Sequence, residues 1–334
     1  MSATVELSIV TTLYRSAATI EEFVRRSIAA AEAITGLFEI VIVDDGSPDD
    51  SLAIAMRLGE SEPRIKVIEL SRNFGHHKAM MTGLMHAKGA YCLLIDSDLE
   101  EKPELLGQFW GELKATDADV VYGYQNVRQG DLFRRLSGAI AWKLIEICFP
   151  QKVPRNHVTL RLMKRNYVDS LVLHKEQETV IGGLWVITGY RQIGLTIEKP
   201  TRKETTYNFR RRWYGLIDSI ASFSNVPLIM IFYLGLVIAS IALLFATYLL
   251  FRWFLVGVGV PGWLSVMVSV WFLGGVAIFC IGVIGIYLAK VFIETKNRPY
   301  TIVRAIYQAD QPRRAKQASP ARLQAPLSID IEAK

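Results

Sequence analysis

Two short acidic turns hold the residues with the clearest capacity for chemistry. The first reads Val43-Asp44-Asp45-Gly46-Ser47 and the second Asp96-Ser97-Asp98-Leu99-Glu100. In the second, Asp96 and Asp98 set two carboxylates on one tight turn. A hard divalent cation such as Mg2+ takes one or two carboxylates and completes its shell with phosphate oxygens and water. Such a cation neutralises the charge that grows on a departing diphosphate. An isolated acidic turn after a strand is as readily an Asx-turn or a helix cap. A second acidic cluster at an equivalent place makes a shared ligand site the better account. Other phosphate-binding loops are missing: the chain has no GxxxxGK[ST], and no GxGxxG opens its first helix. That argues against a P-loop ATPase or a dehydrogenase and favours phosphates held through a metal.

Both turns need a scaffold that brings them together, and the first 120 residues supply its signals. Leu7–Leu13, Phe38–Val43, Ile65–Leu70, Ala90–Ile95 and Val120–Tyr122 read as strands. Phe38–Val43 is a β-branched run suited to a strand buried on both faces. Thr19–Ile34, Asp50–Leu58, Phe74–Ala87 and Pro103–Ala115 read as helices, with Thr19 a potential N-cap and Pro103 at a first turn. Alternating strands and helices predict an α/β domain, a mostly parallel sheet with helices on both faces. Ligands of such sheets bind outside the carboxyl ends of the strands, which is where both acidic turns fall. Residues 123–200 are less regular. Short strands are expected around Arg161–Met163 and Val186–Tyr190, covering the carboxyl edge.

The remainder has a different composition. The whole chain is 51% apolar with a net charge of +6, yet the apolar excess lies after residue 226. Pro227–Phe251 and Val256–Ala289 carry no charge, and each exceeds the ~20 residues that cross a bilayer. The expected organisation is a catalytic domain over 1–200 and a basic amphipathic juxtamembrane segment over 201–226. Transmembrane helices follow over 227–251 and 263–290, then a basic, partly disordered tail over 291–334. Five Lys/Arg in 202–212 and eight from Lys296 to Lys334 flank a loop containing only Arg252. The positive-inside bias puts both termini in the cytosol. Met1–Leu7 has no secretory character. Cys92, Cys148 and Cys280 have neither zinc nor disulfide spacing and fit a reducing compartment.

In this order and spacing, Val43–Pro48 with Asp49, Arg72-Asn73-Phe74-Gly75, and Asp96–Glu100 with Pro103-Glu104 resemble family 2 glycosyltransferases of the polyprenyl-phosphate type. Dolichol-phosphate mannose synthases and bactoprenol glucosyltransferases belong to that type. The two-helix tail after Ser222–Leu228 resembles the bactoprenol branch, and the resemblance covers about residues 5–305. It implies a GT-A fold and an inverting transfer. It implies that Asp44 and Asp45 help hold the nucleoside, with Thr12 and Tyr14 lining the base pocket. Asp96, Asp98 and Glu100 would surround the diphosphate and its Mg2+ or Mn2+. Arg128 could close over the donor. UDP-glucose is the first choice of donor, with GDP-mannose next. The acceptor would be undecaprenyl phosphate at the cytosolic face of the inner (plasma) membrane. Its phosphate needs cations at headgroup level, for which Arg202, Lys203, Arg210 and Arg211 are the candidates. Membrane lipids are the further partners, and nucleic acid is not among those expected. Gly274, Gly275, Gly282 and Gly285 offer close-packing faces for a homo-oligomer.

The departures from that family carry information. Thr12 stands where relatives have Pro, Arg15-Ser16 where they have Asn-Glu, and Glu100 where they often have Gln. An Asp-Ala-Gly-Asp-Phe-Arg-Leu stretch becomes Asn156-His157-Val158-Thr159-Leu160-Arg161-Leu162, so both acidic positions are lost and no general base is assigned. A phosphate acceptor tolerates this, because its second pKa of about 6 leaves it anionic at neutral pH. A sugar hydroxyl would need a base. His76 and His77 point in different directions on a helix, so they do not form a metal pair, although a helix start there suits anions. Two other functions are considered. A processive polysaccharide synthase would carry Gln-x-x-Arg-Trp, where this chain has Phe209 in place of Gln. A non-catalytic nucleotide-sugar-binding membrane protein would not need the whole set of cleft carboxylates.

Overall fold

The computed structural model describes residues 5–125, 157–177, 181–197, 226–256 and 262–309. The strands β1 (Leu7–Leu13), β2 (Phe38–Asp44), β3 (Ile65–Leu70) and β4 (Tyr91–Leu94) alternate with the helices α1 (Ile20–Glu32), α2 (Ser51–Ser61) and α3 (His76–His86). A 3-10 turn at Pro103–Leu105 leads into α4 (Leu106–Ala115) and then β5 (Val120–Tyr124). Next come β6 (His157–Lys164), α5 (Arg165–Leu171), α6 (Ile181–Ile187) and β7 (Gln192–Thr196). Two long helices follow, α7 (Val226–Val256) and α8 (Trp263–Thr295), and then β8 (Val303–Tyr307).

Eight described strands form one sheet in the order β7-β5-β6-β4-β1-β2-β3-β8. Its centre, β4-β1-β2-β3, is parallel throughout, and every residue of β1, β2 and β3 is buried. That is the burial expected of strands covered on both faces. One face packs on α1, α2 and α4 through Phe23, Phe109 and Leu113. The other packs on α3, α5 and α6 through Met80, Met81, Tyr167 and Leu184. Gly83 lets α3 lie close on β1, since a Cβ there would come within 2.5 Å of Val10 Cγ1.

The structure departs from the sequence expectations in four places. β5 does not extend the parallel series beside β4, because the antiparallel β6 lies between them. Strand spacing alone carries no information on such an insertion. The strand expected at Val186–Tyr190 is the end of α6 and a turn, and the strand lies at Gln192–Thr196. The Thr19 hydroxyl does not cap α1; it donates to the Ser16 carbonyl (3.3 Å). The segment after the second long helix is not all tail. α8 runs on to Thr295, and β8 pairs antiparallel with β3. The sheet is thus not confined to 1–200. β8 covers the hydrogen-bonding edge that β3 would otherwise expose. Residues beyond 309 lie outside the described part.

α7 and α8 touch each other. Their apolar side chains face outward, with Phe254 81% and Trp271 79% exposed. Ser269–Thr295 is long and apolar enough to cross a membrane, and none of it is buried. In α7, Val226–Ile238 is a shorter apolar stretch among the described residues. Exposed apolar surface on this scale marks an interaction face rather than a water-facing one.

A buried charge network fastens the amino-terminal edge of the sheet. Glu39 on β2 accepts from the Ser8 hydroxyl (2.7 Å), the Lys88 backbone N–H (2.5 Å) and Lys66 Nζ (3.0 Å). Burial pushes the Glu39 pKa up, but these three donors outweigh it and hold it below the usual value. A depressed carboxylate stabilises the fold above its unfolded pKa, and that contribution fades as pH falls through the folded value. Lys66→Met leaves Glu39 buried without its cation and is expected to cost about 3 kcal/mol. Denaturant unfolding of the detergent-solubilised chain should show that loss at pH 7 and a smaller one at pH 4. An equal loss at both values would assign the effect to packing rather than charge.

Candidate active site

The parallel centre of the sheet ends along one edge, with Leu13 paired to Asp44 and Asp44 to Glu69. Both acidic turns leave the sheet there. The Asp45 N–H donates to the Leu13 carbonyl and the Ile95 N–H to the Val10 carbonyl, each at 3.1 Å, so the turns start in register with β1. The buried Ser97 hydroxyl donates to the Thr12 carbonyl (2.9 Å) and to Ser16 Oγ (3.1 Å). Ser97 is therefore the anchor of its turn. Asp96, partly exposed, and Asp98, exposed, stand on either side of it.

Asp44 and Asp45 are each 2% exposed. Asp44 accepts the backbone N–H groups of Gly46 (3.2 Å) and Ser47 (3.3 Å), which closes its own turn. Burial pushes its pKa up to about 6, against the pull of those two N–H groups. Asp45 reaches across to the β3–α3 loop and accepts the N–H groups of Phe74 (2.7 Å) and Gly75 (3.0 Å). Burial raises its pKa too, opposed by these bonds and by the charges of His76 and Arg72. Gly46, at φ +65°, permits the approach, since a Cβ would lie 2.7 Å from the Asn73 nitrogen.

That loop starts α3, and its first residue completes the edge. His76 Nδ1 lies 3.0 Å from Thr12 Oγ1, and its Nε2 lies 3.3 Å from Asp96 Oδ1. Burial lowers the His76 pKa, but the bond to Asp96 and the charges of Asp96, Asp45 and Asp98 outweigh it and leave it raised. One imidazole thus links β1, the second acidic turn and the field of the first. Sequence reasoning rejected a His76–His77 metal pair and allowed an anion contact at the helix start, but it did not place His76 between Thr12 and Asp96. Its position at the start of the helix after β3, on the carboxyl edge, was the available signal.

Asp49 is a second residue whose role shows only in three dimensions. It accepts from the Ser47 and Ser51 hydroxyls (2.5 Å each) and from the Ala17 N–H (3.2 Å). Burial works against ionisation, but these donors prevail and its pKa falls to about 2. The loop after β1 is thereby tied to the turn after β2. Arg15 (φ 58°) and Leu99 (φ 60°) hold left-handed backbone without being glycine. Such strain costs on the order of 1–3 kcal/mol and collects at functional sites.

The edge gathers Thr12, Tyr14, Asp44, Asp45, Asp96, Asp98 and Glu100. Tyr14 is 50% exposed and open for stacking. The Glu100 N–H donates to Asp98 Oδ1 (3.0 Å). Among the described residues no three carboxylate, His or Cys side chains form a ready-made metal cluster, so the trio Asp96, Asp98 and Glu100 does not converge by itself. Two accessible carboxylates at a strand end nonetheless fit a Mg2+ or Mn2+ ion that takes the rest of its shell from phosphate and water. Arg128, Arg202, Lys203, Arg210 and Arg211 lie outside the described residues. A larger groove of 580 Å³, lined by Arg25, Arg26 and Glu104, lies on the outer face of α1, away from this edge.

The raised Asp44 pKa has a consequence for stability. The folded chain binds this proton more tightly than the unfolded one, so stability falls as pH rises from about 4 to about 6 and stays lower above. The shift corresponds to roughly 3 kcal/mol. Asp44→Asn is expected to unfold at a higher temperature than the parent at pH 7.5, with the gap closing at pH 4. Thermal unfolding at the two pH values measures it.

The chain is similar to known proteins. Residues 8–172 match the family described as Glycosyl transferase family 2. A glycosyltransferase-type protein of Mycobacterium tuberculosis is 50% identical over 319 residues, spanning 94% of this chain and 93% of its own length. The Escherichia coli prophage bactoprenol glucosyl transferase homolog is 31% identical over 80% of this chain and 88% of its own. The Pyrobaculum calidifontis mannosyltransferase PcManGT, solved with GDP-Man and Mn2+, gives a TM-score of 0.46 at 20% identity, covering 65% of this chain and 63% of that one. The chain belongs to the family 2 glycosyltransferases, in their polyprenyl-phosphate branch.

Proposed function

We propose that this chain moves a hexose, glucose from UDP-glucose first and mannose from GDP-mannose second, onto a polyprenyl phosphate such as undecaprenyl phosphate, with inversion at the sugar carbon. One observation carries the proposal: two acidic turns leave the same end of one parallel sheet, on the strands that flank β1, and both meet the loop that carries His76, Asp45 through the Phe74 and Gly75 N–H groups and Asp96 through the imidazole. The likeness to a bactoprenol glucosyl transferase homolog supports the lipid acceptor.

Each group then has a chemical task. Thr12, Tyr14, Asp44 and Asp45 form the nucleoside end of the cleft. Asp96 and Asp98, with Glu100 beside them, would hold the diphosphate end through a divalent cation, Mg2+ or Mn2+. That cation, when bound, neutralises the charge on the departing diphosphate. His76, whose pKa is raised by Asp96 and the neighbouring carboxylates, would offer a hydrogen-bond donor beside the diphosphate end. No carboxylate stands at Asn156 or Thr159 to serve as a base, and an already anionic lipid phosphate attacks without one. Arg128 would cover the donor. Arg202, Lys203, Arg210 and Arg211, next to the first long helix in sequence, would meet the acceptor phosphate.

The helices α7 and α8 cross the membrane as a pair, with the catalytic sheet and both termini in the cytosol. The Lys/Arg-rich flanks support this orientation. So does β8, which follows α8 directly and pairs with the catalytic sheet. Gly274, Gly275, Gly282 and Gly285 present open faces where an added Cβ would touch nothing, and they suit close packing against a second copy.

Purified chain, membranes, Mg2+ and a panel of labelled nucleotide sugars test the assignment: label should enter the lipid phase from UDP-glucose or GDP-mannose. Asp96→Asn with Asp98→Asn should lower that rate by about 100-fold or more. Undiminished transfer by the double variant would remove the metal–diphosphate role. His76→Gln should lower kcat/KM for the donor by about tenfold, as expected for the loss of a charge-assisted hydrogen bond. An unchanged kcat/KM would return His76 to a structural role between Thr12 and Asp96.

A further inference from the structure

The loop that carries His76 has a second side. Its backbone N–H groups at Phe74 and Gly75 face Asp45. Its side chains Arg72 and Phe74, with Lys78 of α3, face the cytosolic end of α8 across a cavity of 250 Å³. The opposite wall contains Phe292, Lys296 and Arg298. Four cations therefore ring one cavity where a membrane helix meets the catalytic edge.

The far wall is fixed in place. α8 ends at Thr295 with Lys296 as its C-cap, and Asn297 takes left-handed backbone (φ 46°), which turns the chain back toward the sheet. Gln177 then fastens the turn, its Nε2 donating to the Arg298 carbonyl (2.7 Å) and its Oε1 accepting from Lys78 Nζ (3.2 Å). Thr301 Oγ1 meets Thr82 Oγ1 of α3 (2.9 Å), and the Ser71 N–H donates to the Ile302 carbonyl (2.9 Å). Ring contacts hold three of the cations: Arg72 lies over Phe74 (4.1 Å), Lys78 over Tyr300 (5.2 Å) and Lys296 over Phe292 (4.0 Å). The nearby carboxylate of Glu294 accepts the Gln177 backbone N–H (2.7 Å), and Glu176 senses its charge. Neither is among the residues lining the cavity.

We propose that this cavity binds the phosphate headgroup of a membrane lipid, with Arg72, Lys78, Lys296 and Arg298 around the phosphate and the first carbons of the chain against Phe74 and Phe292. Juxtamembrane cations attract lipid phosphates, each contributing about fivefold in affinity. The aromatic rings suit the junction of a headgroup and its acyl or prenyl carbons. The site rests on the reading of α8 as a membrane helix and deepens the acceptor assignment. It shares the 72–78 loop with the donor cleft, so a phosphate held here lies one loop away from the carboxylates that hold the donor.

The test uses the full chain in phosphatidylcholine nanodiscs. Binding of farnesyl phosphate, farnesol and inorganic phosphate is measured, with a parallel set of discs containing phosphatidylglycerol. The expected result is binding of farnesyl phosphate but not farnesol, weakened roughly thirtyfold by Lys296→Ala with Arg298→Ala. Nucleotide affinity and the unfolding midpoint should stay at the parent values, and Arg298→Lys should retain most of the binding. Competition by phosphatidylglycerol at equal strength would identify the source as bulk anionic lipid; preference for farnesyl phosphate would identify it as the acceptor. Equal binding by the parent and the double alanine variant overturns the proposal, as does equal binding of farnesol and farnesyl phosphate. Binding that depends on the cavity, in a chain that transfers no labelled sugar, would keep this site and sink the proposed reaction. Normal transfer with cavity-independent binding would do the reverse.

Discussion

The Asp45 carboxylate, buried and shared between the Phe74 and Gly75 N–H groups, is the contact on which the site depends. It spans from the end of β2 to the loop before α3 and so fixes where that helix begins. A carboxylate loses hydration when buried, and two backbone donors with the charges of His76 and Arg72 offset that loss only in part, so its pKa stays raised. With the loop fixed, His76 can reach Thr12 and Asp96 together. Gly46 is the steric condition for the contact, because any Cβ there would collide with the loop backbone.

The two ends of the sheet treat charge in opposite ways. At the amino-terminal edge, Glu39 and Lys66 neutralise each other inside a closed set of hydrogen bonds, and the carboxylate pKa falls. At the carboxyl edge, Asp44 and Asp45 are desolvated and their pKa values rise. Left-handed Arg15 and Leu99 lie on the same edge. Charge repulsion and backbone strain held at one place lower stability there, and a cation-bearing ligand is what would relieve the charge. The fold tolerates this because the buried parallel strands behind it are apolar and the charges at their other end are paired.

β8 changes what the two long helices mean for the site. A sheet followed by two helices would allow the catalytic domain to swing on a linker. Here the chain leaves α8, turns at Asn297 and adds a strand to the same sheet. Arg304 and Tyr307 then bond Glu69 on β3, at 2.8 and 2.7 Å. The end of α8 is thereby fixed beside α3, the helix that carries His76.

Much of this was legible in the residues themselves. A β-branched run marked β2, because strands covered on both faces are rich in such residues. Acidic turns directly after β2 and β4 marked the cleft, because parallel strands deliver their carboxyl ends to one side. Charge-free runs longer than a bilayer marked the two long helices. Local pattern could not reveal β6 inserting between β4 and β5, nor β8 returning to β3, since pairing between segments far apart in sequence leaves no periodic trace. Nor could it separate residues of one type by task. Asp49, Asp45 and Asp98 are all aspartates near glycine or serine, yet one ties loops together, one holds a helix start and one stands open at the edge. Residue type and spacing determined the chemistry available to this chain. Tertiary structure decided which carboxylates are desolvated, which backbone groups engage them and which imidazole lies between them, because those depend on what the rest of the chain brings within a few ångströms.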